Sequence, residues 1–210
     1  MGKPVEQIKE FAEKKLRALR ENPDESAVKA YLAKMRRGVG KAPGTDPDLW
    51  GILFEDLPEE LTGTGGIPGR AEMALYTAFT LYAIHQQSHS LQEENAYQKG
   101  IGFGRAAGEM AAKEPDALNA VRRRFNAAAV SSDITELAWH MKGMVQLFRQ
   151  KEIRLDYVQL AVDFYLYQDL EKIPEVRLRW GRDFYKYCKV KRKMRRKGKW
   201  MKKDCMWICM

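Results

Sequence analysis

Met73-Ala74-Leu75-Tyr76-Thr77-Ala78-Phe79-Thr80-Leu81-Tyr82-Ala83-Ile84 is the stretch that decides the fold. It carries no charge, and the uncharged run continues to Gln92 through Gln86, Gln87, Ser88, His89 and Ser90. A run of that length approaches a membrane span, which takes about 20 apolar residues, but the polar second half leaves too short an apolar part to cross a bilayer. The stretch therefore reads as a helix buried inside a soluble bundle, starting at about Arg70 and ending near Gln87. Such a helix needs other helices around it, and the rest of the chain supplies them.

Upstream, Val5, Ile8, Phe11, Ala12, Leu16 and Leu19 mark one apolar stripe at helical spacing, stopped by Asn22-Pro23. Ser26 is placed to cap a second helix with Ala27, Val28, Tyr31, Leu32 and Met35 inward, ending near Gly38. Pro47 suits the first turn of a short helix carrying Trp50, Leu53 and Phe54. Thr62 to Gly69 is a glycine-rich linker. Downstream, helices are expected at about 102–113, 116–129, 133–149, 155–169 and 174–189. Neither a period-2 strand run nor a solenoid repeat is present. The expected fold is all-α: a compact helical bundle of about eight or nine helices without a β-sheet. The 210 residues, 45% hydrophobic and 10% aromatic, suffice for one domain or for two small lobes joined by linker 62–69. Trp50, Tyr76, Phe79, Tyr82, Phe125, Trp139, Phe148, Tyr157, Phe164 and Trp180 are expected in the core or at subunit contacts.

The net charge of +9 divides unevenly. Residues 186–210 hold eleven Lys or Arg and the single acid Asp204, so they carry +10, and residues 1–185 carry −1. A bulk-charge argument for nucleic-acid binding by the folded part fails; what matters is whether its bases gather on one face. In sequence they do gather. Lys34, Arg36, Arg37 and Lys41 form one run, Arg122, Arg123 and Arg124 a second, and Arg177, Arg179 and Arg182 a third. At 100° per residue, Arg122 to Arg124 fan over about 200° of helix surface, so one or two reach solvent and one is expected to pair with Asp116 or Glu114.

Catalytic and ligand patterns are weak. Gly63 to Gly69 lacks the Lys-Ser/Thr of a phosphate loop and no strand precedes it. Gly102-Phe103-Gly104-Arg105-Ala106-Ala107 lacks the βαβ frame of a dinucleotide site and reads as close helix packing. His85 and His89 lie four apart without a Glu between them to complete a zinc motif. Asp156, Asp163, Asp169 and Asp183 are spread over separate helices and are expected in caps and salt bridges. Cys188, Cys205 and Cys209 offer no disulfide framework. No enzyme activity, cofactor or metal is expected, and the charged start, with Lys3, Glu6, Lys9 and Glu10, gives no apolar signal segment, which points to the cytoplasm.

The order Met35-Arg36-Arg37-Gly38-Val39-Gly40-Lys41-Ala42-Pro43-Gly44, Trp50, Tyr82-Ala83-Ile84-His85-Gln86-Gln87, Gly104-Arg105-Ala106, Arg122-Arg123-Arg124-Phe125-Asn126-Ala127 and Trp180-Gly181-Arg182-Asp183-Phe184-Tyr185 resembles the CasB family over roughly residues 27 to 187. CasB proteins are the small subunits of the type I-E CRISPR Cascade complex. The resemblance implies an all-helical, non-catalytic subunit that sits as a pair beside the guide RNA, among other Cascade subunits. It also implies contacts to the phosphates of target and displaced DNA strands, with Lys34, Arg36, Arg37, Lys41, Arg105, Arg122, Arg123 and Arg124 as candidates. Sequence reading by base pairing would leave the protein only backbone charge to hold, and without an aromatic-rich β-platform base stacking is expected to be minor.

Residues 1–25 read as an extra N-terminal helix, 26–187 as the CasB-like domain, and 188–210 as a basic tail outside the family pattern. The tail fits a nucleic-acid arm, an anionic-membrane binder using Trp200 and Trp207, or an extension without function. Two alternatives therefore stand beside the DNA-binding reading: a helical adaptor between protein subunits, and a tail-driven RNA or membrane binder.

Overall fold

A computed structural model describes residues 2–189, apart from the side chain of Ile52. The tail from residue 190, with Trp200, Cys205, Trp207 and Cys209, lies outside the described residues. α4 (Arg70–His85) is buried from Ala71 to His85, Met73 alone being partly exposed, as a helix whose stretch from Met73 to Ile84 carries no charge must be inside a bundle. Around it are α1 (Lys3–Glu21), α2 (Glu25–Arg37), the short α3 (Trp50–Phe54), α7 (Ile134–Gln150) and α8 (Tyr157–Tyr167), all packed on α4. α5 (Phe103–Lys113) pairs with α9 (Ile173–Tyr187), and α6 (Leu118–Ala129) joins α5 to α7. Single 3₁₀ turns occupy Pro47–Leu49, Glu59–Leu61 and Pro115–Ala117. Strand pairing among the described residues is one isolated bridge between Tyr97 and Leu155, clasped by Leu155 N to Ala96 O at 3.0 Å and Gln98 N to Leu155 O at 3.1 Å. The all-α expectation holds.

One hydrophobic core runs through the segments on both sides of residues 62–69, and α1 packs directly on α8. Its densest part is aromatic. Phe125 stacks on Phe184 with ring centres 4.5 Å apart, Phe103 meets Trp180 edge-on at 5.0 Å, and Tyr82 meets Tyr157 edge-on at 5.2 Å. Pairs of this kind add about 0.5–1.5 kcal/mol each beyond their buried area.

Gly104 explains why α5 and α9 lie so close. A Cβ there would collide with the Trp180 backbone, and one at Gly108 would stand 2.7 Å from Phe184 O. The glycine pattern expected as helix packing is that, and nothing else is needed to account for it. Behind it, fully buried Asp163 accepts hydrogen bonds from Arg179 at 2.5 Å, Trp180 Nε1 at 2.5 Å and Gln159 Nε2 at 2.7 Å. Burial pushes its carboxyl up, and the Arg179 charge and the Trp180 donor pull it back. Asp156 caps α8 through Gln159 N at 2.9 Å and also accepts from Gly100 N at 2.7 Å, while Asp169 faces Arg70 at 3.5 Å. These acids serve the caps and salt bridges expected of them.

Four local expectations are corrected. The cap of α2 is Asp24, whose side chain accepts from Ala27 N at 2.9 Å, because the helix begins a residue before Ser26. α4 ends at His85, so His89 falls in the following turn and shares no helix face with it. Glu114 pairs with Lys151 at 2.6 Å and Arg122 turns to Asn119 at 3.0 Å, so the arginine cluster does not use Glu114 or Asp116. Trp50 and Trp139 are not core: they are 49% and 72% exposed.

The loop before α4 is closed by its own chain. Gly63 packs against Gly69 and Ile67, and the buried Glu72 carboxylate accepts from Gly69 N at 2.5 Å. An anion arriving at this helix start would meet a carboxylate already in place.

Candidate nucleic-acid interface

α7 buries Ile134, Leu137, Met141, Met144, Val145 and Phe148. Flanking that buried face it carries Thr135, Ala138, Lys142, Gln146 and Arg149, which at 100° per residue fall within an arc of about 80°. Three groups of cations come to this strip from other elements.

The first is Lys41. Tyr76 Oη donates to Gly38 O at 3.0 Å, and a Cβ on residue 38 would meet Tyr76 and Leu49, so the chain leaving α2 is held flat against α4. That path carries exposed Lys41 to a cleft it shares with Thr135 and Ala138.

Arg36 is the second. It sits near Arg149, and its guanidinium is lowered from its ordinary value by burial and then by the Arg149 charge. Arg149 Nη1 donates to Gln87 Oε1 at 2.7 Å, and Gln86 fixes the turn beyond it, donating to the carbonyls of His89, Ser90 and Glu94 and accepting from Ala96 N at 2.7 Å. The signature Tyr82 to Gln87 thus runs from core to loop anchor to arginine holder. His85 Nδ1 lies 2.9 Å from Tyr157 Oη, and His89 Nδ1 lies 3.0 Å from a Glu94 carboxylate oxygen. Among the described residues no cluster of three His, Cys, Asp or Glu could hold a metal. The Arg36 end opens as a cleft of about 330 Å³ with Lys29 and His89 in its wall.

On the other flank of α7, Arg124 of α6 borders a shallow depression with Trp139, Lys142 and Gln146. Arg123 and Arg124 are exposed, and neither they nor Lys142 have an ion-pair partner among the described residues.

The remaining candidates are tied within the chain. Lys34 and Arg37 share Asp48, at 3.8 Å and 3.2 Å. Arg105 donates to Glu109 at 2.7 Å and lies over the Tyr187 ring at 4.8 Å, on the α5–α9 pair. The structure thus brings Arg36, Lys41 and Arg124 to α7 and leaves Arg105 on another pair of helices. Lys142 and Arg149 are the residues sequence reasoning missed. Their seven-residue spacing on one helix was a visible signal; their proximity to Arg36 and Arg124 was not.

The strip can hold a line of anions. Neither Arg36 nor Arg149 is in an ion pair among the described residues, and a phosphate seated near both would offset their mutual repulsion.

The family model for the CRISPR-associated protein Cse2 matches residues 31–185. CasB from Thermobifida fusca superposes with a TM-score of 0.66 at 28% identity, covering 85% of this chain and 98% of that one. CasB from M. ruber does so with a TM-score of 0.62 at 26% identity, covering 84% and 93%. A Cse2-family CRISPR-associated protein from Thermus thermophilus, at 22% identity and TM-score 0.59, shares the fold, covering 83% and 97%. No curated protein sequence matches. The chain belongs to the Cse2 (CasB) family of CRISPR-associated proteins. That family supplies small subunits of the Cascade assembly, which makes other Cascade subunits the partners of this chain. Among the described residues no helix is long and apolar enough to cross a membrane.

Proposed function

We propose that the chain is the non-catalytic small subunit of a type I-E Cascade complex and holds DNA phosphates along α7 without sequence preference. It does so as one of a pair, beside the guide RNA–target duplex and the displaced strand, in the cytoplasm. The observation that supports this reading is the gathering of cations along α7: Lys142 and Arg149 on the helix itself, Lys41 in the cleft with Thr135 and Ala138, Arg124 beside Lys142, and Arg36 within reach of the Arg149 charge. Lys34, Arg37, Arg105, Arg122 and Arg123 are secondary positions: exposed ion pairs hold a cation only weakly, so a phosphate can still recruit those that are paired.

Replacing Arg36 and Arg149 together by Gln, in the assembled complex, is expected to weaken retention of target DNA and to flatten the slope of log K against log salt by about 2. Retention equal to wild type, with the variant still in the complex, would overturn the assigned face.

One observation favours an adaptor role in addition. Trp50 and Phe54 on α3 are 49% and 39% exposed, and Leu170 and Leu178 are also exposed, all on elements other than α7. Loss of the variant Trp50→Ala from the purified complex, with DNA contacts of the free chain intact, would support docking through α3.

A further inference from the structure

Trp139 is the largest side chain that the strip on α7 leaves uncovered, 72% exposed. The solvent-facing indole lies outside the core that buries the other aromatic of the helix, Phe148. Its surroundings are specific. It borders the depression formed with Arg124 of α6 and with Lys142, Gly143 and Gln146 of its own helix. Gly143, one turn along, has open space where a side chain would stand, which leaves that approach clear. His140 meets the indole with ring centres 4.8 Å apart and planes near perpendicular, and a single neighbour of this kind covers at most one face of the ring. The acid nearest in sequence, Glu136, is held by Ser132 N at 2.7 Å and Ser132 Oγ at 2.8 Å.

We propose that Trp139 is a stacking platform for an unpaired base, with Arg124 and Lys142 holding the phosphates on either side of that nucleotide. The occupant is single-stranded nucleic acid, and charge complementarity selects it: two cations without carboxylate partners among the described residues flank one exposed π-face. A duplex buries its base faces and cannot use the indole. An apolar protein partner would have to bury Arg124 and Lys142 unpaired. Stacking tolerates any base, so the platform adds affinity without adding sequence preference. The proposal departs from the expectation that stacking is minor, and the test below decides between them. It rests on the DNA-binding reading above and names the strand and the mode of contact at one part of that strip.

The test uses the full chain and two fluorescein-labelled oligomers of equal charge, a 20-mer of deoxythymidine and its abasic counterpart. The tail is the same in wild type and variant, so the change in the ratio of the two affinities on substitution isolates base contact at residue 139. Trp139→Ala is expected to lower affinity for the thymidine oligomer by between about fivefold and a hundredfold and to leave the abasic oligomer unchanged. Trp139→Phe should restore most of the loss, and Arg124→Gln with Lys142→Gln should weaken both oligomers equally. Equal affinity of wild type and Trp139→Ala for the thymidine oligomer, or equal losses on both oligomers, would overturn the platform while leaving phosphate binding intact. Failure of the wild-type chain to bind either oligomer would overturn the platform and the DNA-binding reading together.

Discussion

His85 shows how one side chain couples the buried helix to solution conditions. It is 3% exposed at the end of α4, against Tyr157 and 6.4 Å from the Phe148 ring. Burial, and after it the charge of nearby His89, lowers its pKa from 6.5 to about 4. In the unfolded chain the imidazole takes up a proton near pH 6.5, and in the folded chain it does not until about pH 4. The His85 contribution is therefore complete above the unfolded value and is lost as pH falls from 6.5 toward 4, by about 3 kcal/mol in all. Between pH 7 and pH 5 the wild-type protein should lose about 2 kcal/mol more in urea unfolding than the variant His85→Gln, which has nothing to protonate there. Parallel pH profiles for the two would show that His85 titrates alike in the folded and unfolded chain and that its burial does not lower its pKa. At this scale the sequence was partly legible. That His85 ends an apolar helix could be read from its neighbours, but its partner, Tyr157, lies 72 residues away and no local spacing announces it.

Elements were the most legible level, because period and punctuation are local. Apolar residues at helical spacing placed α1, α2, α4 and α6 to α9 within a few residues, and Asn22-Pro23 and the Gly63–Gly69 segment fell between them as expected. Less legible was which faces of those helices lie at the surface. Trp139 and Phe148 both sit at helix-compatible positions of α7, yet one faces solvent and the other the core, since that depends on where α6 and α4 lie. The α5–α9 contact offers the sharpest test of the packing. Gly104→Ala places a methyl into the Trp180 backbone, which cannot rotate away, and should cost at least about 1–3 kcal/mol in urea unfolding. Gly181→Ala on the facing helix has open space and should instead stabilise by about 0.5–1 kcal/mol, as alanine does in a helix interior. Equal effects at the two glycines would mean that the helices are not packed as described.

For the whole molecule the question is where binding charge resides. The sequence showed that residues 1–185 carry −1 and that the basic excess lies beyond them, but a net charge says nothing of arrangement. Folding separates the bases of the body into those held by carboxylates, such as Lys34 and Arg37 on Asp48, and those left for other anions, such as Arg36 and Arg149. A nearly neutral body can thus present a basic strip, and the two sources of affinity should differ in kind. Ending the chain after Lys189 removes nine bases and one acid and keeps every core residue found among the described residues, so the shortened chain should still fold and melt cooperatively. The free chain should lose much of its nonspecific affinity for single strands. Its slope of log K against log salt should shrink by up to about 6, since each phosphate contact given up removes about 0.7. If the α7 strip holds the DNA as proposed, retention of target DNA by the assembled complex should persist after the truncation and fall only when Arg36 and Arg149 are also replaced. If truncation alone abolishes retention, the tail is the binding element, and the cations on α7 serve contacts to neighbouring subunits.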